Sequence, residues 1–380
     1  MELLNPTARE STSQAALVAE VVATNDNSRH LVPAKLSFSF EDARDHLIRV
    51  DPRFEGIFNR LPCRPFEHLE QFDPFITLAT SILGQQISWK AARSITHKFV
   101  KLFNADVPET PGEYKLTRIS DYFPTAQQVA KMDHASLRTA GLSGRKAEYV
   151  LDLATRFTKG ELTTEKLLKA NDDELYDMLT AVRGIGKWTV DMFAIFSLRR
   201  PDILPIGDLG VQRGVARWFL SLHAPDYGLV ISPEKLPKGS EEETTNTTTV
   251  AQASASAEEV EVDEDTLPVL GQVAAPSKKS NGKGKKSASS KDSQLDPLPT
   301  PFTPSVNKIL NARSYSSGES YEPPPLPRGL TVSMLRGRLM ARKKMKGVYL
   351  TAIEIEDLTE IWRPYRSLGV YYMWALAEEV

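Results

Sequence analysis

The sequence predicts a mainly α protein, and three observations carry that prediction. Apolar residues recur at helical spacing through most of the segment from about 36 to 222. No stretch alternates with a period of two for long, which leaves strands little support. From about 226 the chain turns to acidic, Ser/Thr, lysine and proline tracts, a composition unable to bury a core.

Taken in order, residues 1–35 show no periodicity and read as a flexible N-terminal tail. Phe75, Leu78, Ala79 and Ile82 stand at i, i+3, i+4 and i+7, one face of a helix. Ile87, Ala91, Ile95 and Phe99 continue at steps of four. Between 126 and 157, Val129, Leu137, Val150, Leu153, Ala154 and Phe157 predict two further helices around the turn GLSGRK. Leu175, Met178, Leu179 and Val182 form another stripe that ends at Gly184, and Thr189, Met192, Phe193 and Phe196 repeat the spacing beyond it. A loop through Pro205 and Gly207 then enters a helix carrying Leu209, Val211 and Val215.

Residues 226–348 read as a disordered, low-complexity insert with basic segments: Lys278, Lys279, Lys283, Lys285 and Lys286, then RGRLMARKKMKG at 336–347. Thr351 with Glu354 makes a capping box. The helix it opens carries Ile355, Leu358 and Trp362 toward Pro364, and a last helix runs from about 366 to 378. A short helical end seldom folds alone, so 349–380 is expected to join 36–225 in one helical unit.

Composition narrows the function. Lys and Arg number 47 against 49 Asp and Glu, a near-neutral sum that can hide a basic face because the charges are segregated. Cys63 is the only cysteine, which excludes an internal disulfide and a cluster held by four cysteines. No cofactor and no metal is expected. No apolar run approaches the roughly 18 residues of a membrane span, and no secretory signal is visible at the N-terminus.

Two stretches carry chemistry. In VRGIGK (182–187) two glycines join two amphipathic stripes. Glycine tolerates positive φ and lets another group come close. The amides that open the second helix suit a phosphate oxygen, Lys187 adds charge, and Ile185 can tuck between the helices. A plain corner between helices would look the same. Asp208, at a loop entering a helix, is a favoured N-cap residue. A helix start also favours negative charge, the state needed by a catalytic carboxylate that faces a developing cation. Cap and catalyst both remain open for it.

Together, SILGQQISWKAARSI, GLSGRKAEYVLDLA, LTAVRGIGKWTVDMF, DILPIGDLGVQRG and LTEIWRPYRSLGVYYMW resemble the helix–hairpin–helix DNA glycosylases, and among them the alkylbase (3-methyladenine) glycosylases. The resemblance covers about 36–222 and 349–378. It implies a two-lobed all-α fold, with the long insert added here. It maps Arg183, Gly184, Ile185, Gly186 and Lys187 onto the hairpin that grips DNA phosphates, and Asp208 onto the catalytic aspartate. Trp188, Trp374 and Tyr371 would line the base pocket, although core packing explains Tyr371 equally well. Gln86, in the QQIS loop, is the candidate wedge, and Arg145 and Lys146 are candidate phosphate contacts.

Relatives that also cut the backbone carry a lysine where this chain has Trp188, so no lyase step is expected. The implied function is excision of 3-methyladenine and 7-methylguanine from double-stranded DNA by a nuclear, monomeric enzyme with no membrane partner. The alternatives are a non-catalytic DNA-binding protein or a glycosylase for hypoxanthine or ethenoadenine. The basic tracts of the insert suit either added DNA affinity or nuclear import.

Overall fold

The computed structural model describes residues 31–59, 61–108, 121–224, 226–229, 321–340 and 348–376. Strand β1 (Val32–Pro33) precedes helices α1 (Phe40–Val50), α2 (Arg53–Phe58) and α3 (Arg64–Glu67). Strand β2 (Gln71–Phe72) leads into α4 (Pro74–Gly84) and α5 (Trp89–Lys101). Next come α6 (Ala126–Ala130), α7 (His134–Thr139), α8 (Gly144–Thr158), α9 (Thr164–Lys169) and α10 (Asp172–Thr180). Then follow α11 (Lys187–Phe196), α12 (Leu209–His223), α13 (Val332–Met340), α14 (Ala352–Thr359), a 3-10 turn (Glu360–Trp362) and α15 (Arg366–Leu376). The mainly α class holds, and the chain forms two compact units. Within the described chain the first comprises 31–33 and 71–190, the second 34–70, 191–229 and 321–376.

In the first unit, Asp73 caps α4 by accepting from Ile76 N–H (3.0 Å), with Pro74 at the first helical position. The predicted stripe Phe75, Leu78, Ala79 and Ile82 is buried. On α5 the buried face is Ala92, Thr96, Phe99 and Val100, one residue round from the predicted Ala91 and Ile95. The break at 85–88 resets the helical phase, so the step of four does not carry across it. Three helices, not two, occupy 126–158, because α6 and α7 are single turns with their own caps, Thr125 and Asp133. Phe75 packs edge-on against Phe157 (5.5 Å) and Phe123 (6.3 Å), closing this core.

The loop from α10 to α11 needs one glycine for its backbone. Gly184 has φ +82°, and a Cβ built there would fall inside the Tyr149 ring. Gly186 has no positive φ, and a Cβ there meets nothing within 4 Å. The two properties named for glycine thus fall on different residues: Gly184 supplies the positive φ, and Gly186 leaves open space.

The second unit is organised by α12. Gly214 lets the backbone of α15 come against it at Met373. Asp51 and Arg53, both buried, bond to it together. Arg53 donates to Asp51 (3.0 and 2.6 Å), to Trp218 O (3.0 Å) and to Ser221 Oγ (2.7 Å). The Trp218 indole N–H donates to Asp51 (2.8 Å), and the Arg53 guanidinium lies 3.8 Å from the centre of that ring. Trp362 is core, stacked on Phe219 at 5.8 Å.

Both predicted boundaries of the unfolded parts move. Val32 and Ala34 are buried, and β1 pairs antiparallel with β2, so residues 31–35 are not tail. Residues 226–229 and 321–340 belong to the second unit. Leu229, Leu330 and Leu335 are buried, Arg336 forms a double ion pair with Asp226 (2.7 Å), and Arg338 pairs with Glu354 (2.8 and 3.0 Å). Arg336 and Arg338 thus serve the fold, correcting their assignment to a free basic run. The remainder of the predicted insert, with its lysine tract, lies outside the described residues, as do residues 1–30. Thr351 and Glu354 form the predicted capping box.

Asp51→Ala would leave the Arg53 charge buried without its partner, and urea unfolding should show a loss of about 3–5 kcal/mol. Gly184→Ala should cost about 2 kcal/mol or more by the same measurement, from the left-handed backbone and the overlap with Tyr149.

Candidate functional site

The first unit presents an exposed cationic surface around the α10–α11 loop. Arg183 and Lys187 are exposed, and the Lys187 ammonium lies 5.3 Å from the centre of the Tyr176 ring. Ile185 is buried, as predicted for the residue between the glycines. The loop is held from two sides. Arg183 N–H donates to Asp152 on α8 (2.8 Å), and the Gln85 side chain donates to Gly184 O (2.8 Å). The first turn of α11 carries no acidic residue, so its opening amides favour an anion unopposed.

Gln86 follows Gln85 directly, exposed and at φ +58°, a backbone costing about 1–2 kcal/mol for a residue with a Cβ. The predicted wedge therefore sits on a loop tied to the hairpin by its neighbour. Gln85 was not singled out from the sequence, because its role depends on a partner 99 residues away. Arg145 is exposed near the start of α8. Lys146, predicted to meet phosphate, instead donates its ammonium to Leu83 O (2.7 Å), and burial lowers its proton affinity. It ties α8 to the end of α4.

The second unit holds the carboxylates. Asp208 is 5% exposed and caps α12, accepting from Val211 N–H at 2.9 Å. The capping reading is correct, and it fixes the carboxylate at the positive end of a 15-residue helix. Gln212, on the next turn, donates to Ile206 O (2.7 Å) and accepts from Tyr349 N–H (3.0 Å), steadying the loop before Asp208. A second carboxyl, Asp191 on α11, is 1% exposed. Burial, and then the charge of Asp208, push it up to about 8. Sequence reading passed over Asp191; the available signal was a lone acid inside the apolar run WTVDMFAIF.

The predicted aromatics divide. Trp188 is half-buried on α11. Trp374 is half-buried on α15, 5.7 Å from Phe196. Tyr371 is 2% exposed and packs edge-on to Tyr372 at 5.2 Å. It is buried, like all of α15 except Trp374, which fits the core-packing reading of it. Burial likewise pushes the Cys63 thiol up, out of reach as a nucleophile. Among the described residues no group of His, Cys, Asp and Glu is placed to hold a metal ion.

Comparison with known proteins places these features in a family. Residues 79–231 match the HhH-GPD superfamily of base excision DNA repair proteins. A protein named DNA-3-methyladenine glycosylase 1 from Schizosaccharomyces pombe is 30% identical over 178 residues, 46% of this chain and 72% of that protein. The DNA-3-methyladenine glycosylase of Saccharomyces cerevisiae is 40% identical over 188 residues, 47% of this chain and 60% of that protein. A solved Schizosaccharomyces pombe 3-methyladenine DNA glycosylase in complex with abasic DNA is 30% identical, covering 46% of this chain and 78% of that one, with a TM-score of 0.37. This chain belongs to the HhH-GPD superfamily of base excision DNA repair proteins.

Proposed function

We propose that this protein is a monofunctional DNA glycosylase that hydrolyses the N-glycosidic bond of alkylated purines, 3-methyladenine and 7-methylguanine foremost. The observation that carries the reading is Asp208: a carboxylate almost closed to solvent, fixed at a helix start. Family membership and the names of its relatives support the substrate class.

The chemistry follows from charge. Rotating a base out of the duplex costs a few kcal/mol, less at a damaged pair. N3- or N7-alkylation makes the purine cationic and a good leaving group, so no strong general acid is required. As the bond breaks, positive charge grows on the sugar. Asp208 stabilises that charge and orients or deprotonates the attacking water. An aromatic face attracts a cationic purine by about 0.5–2 kcal/mol, a role suited to Trp188 and Trp374. An indole cannot form a Schiff base, so Trp188 argues against a lyase step. The α10–α11 hairpin, with Arg145 and Gln86, would hold the DNA backbone and fill the gap. Action on nuclear DNA as a monomer completes the proposal.

Asp208→Asn is the direct test, because Asn is an equally good cap and the fold should survive. Release of 3-methyladenine and 7-methylguanine from alkylated duplex DNA should fall about 100-fold or more while DNA binding persists. Wild type that binds but releases no base would favour a non-catalytic DNA-binding protein. Borohydride should trap no covalent complex. Gly186→Ala should weaken duplex binding at unchanged thermal stability, since its Cβ has room in the fold but lies in the approach to the amides.

A further inference from the structure

Gln212 stands one turn beyond Asp208 on α12, is 3% exposed, and uses both ends of its side-chain amide. Its Nε2 donates to Ile206 O (2.7 Å), while Oε1 accepts from Tyr349 N–H (3.0 Å) and Leu350 N–H (3.5 Å). The loop before Asp208 otherwise closes on itself through local turns, Ile206 N–H to Leu204 O (2.8 Å) and Asp208 N–H to Pro205 O (3.0 Å). Exposed Gly207, between Ile206 and Asp208, has no side chain to pack. One side chain thus joins this loop to a stretch of chain 137 residues beyond it.

That stretch is gripped from its other side as well. Tyr349 O accepts from Arg338 of α13 (3.2 Å), whose guanidinium also forks onto Glu354 (2.8 and 3.0 Å). Glu354 in turn accepts from Thr351 N–H (2.8 Å) at the start of α14, and Leu350 is 1% exposed. The run of bonds is continuous and lies within the second unit: Glu354 holds Arg338, Arg338 holds Tyr349, and Tyr349 holds the Gln212 amide against Ile206 O. A neutral amide is what this place requires. It must donate at one end and accept at the other, and a carboxylate could do only the second.

We propose that Gln212 is a positioning residue for Asp208, and that Arg338 with residues 349–354, beyond the long low-complexity tract, sets the carboxylate through it, a role that rests on the glycosylase reading of Asp208. The cap bond to Val211 N–H directs one Asp208 oxygen; the Gln212 relay fixes the backbone that carries the whole group. Displacing a reacting group by about 1 Å can cost about 100-fold in rate. The cationic hairpin belongs to the first unit, so a loosened relay slows base release and leaves duplex binding in place.

The experiment measures, on the full chain, the single-turnover rate of alkylated-purine release and the Kd for the same duplex. Gln212→Met, similar in length but unable to donate to Ile206 O, should slow release about tenfold while Kd changes less than about twofold. Arg338→Lys keeps a charge for Glu354 but not the fork that also reaches Tyr349 O, and should slow release about threefold. Because both act along one run of bonds, the double variant should match Gln212→Met within about twofold. Asp226→Asn breaks the exposed pair with Arg336, a tie of α13 outside the relay, and should leave the rate unchanged. Should Gln212→Met fold poorly, Arg338→Lys against the Asp226→Asn control carries the test by itself. Release at the wild-type rate in Gln212→Met or Arg338→Lys, losses that multiply in the double variant, or an equal loss in Asp226→Asn would overturn the positioning role alone. A wild type inactive on every alkylated substrate would remove the glycosylase reading, and the role of Gln212 with it.

Discussion

The second unit depends on a buried ion pair that is satisfied on every side. Two charges taken out of water are a liability unless all their polar atoms find partners. Asp51 and Arg53 meet that condition by enclosing Trp218: the carboxylate takes the indole N–H, and the guanidinium covers the ring and bonds Trp218 O and Ser221. The result pins the second half of α12 to the start of α2. Its first half is pressed against α15 through the missing side chain of Gly214. A helix held this way along its length presents its N-terminus at a fixed place, and that N-terminus is Asp208.

At Asp208, the observed cap and the proposed catalytic role need not compete. A cap must offer a carboxylate oxygen to an amide; a carboxylate that meets developing positive charge must stay anionic and nearly dry. The bond to Val211 N–H and the α12 dipole serve both ends.

In the first unit the two glycines of one motif divide the work. Gly184 is dictated from inside, by a left-handed backbone and the Tyr149 ring; Gly186 faces open space. Around them the supports come from distant segments: Asp152 from α8 and Gln85 from the end of α4. Lys146 is drawn into the same scaffold by its bond to Leu83 O.

The sequence by itself determined what is local. Periodicity placed the stripes of α4, α8, α10 and α11; the spacing of Thr351 and Glu354 announced the start of α14; and Asp208 was recognisable as a cap because capping involves only the next three residues. Tertiary structure decided everything that needs a partner far along the chain. Arg336 and Arg338 read as part of a basic run until Asp226 and Glu354 claimed them, and for Tyr371 pocket wall and core stood level until packing buried it. Asp191 drew no reading from the sequence, and its burial in the fold is what first raises its proton affinity. The physical reason is the same throughout: a helix phase is written in neighbours, whereas the fate of a charge is set by the dielectric and the partners that only packing brings to it.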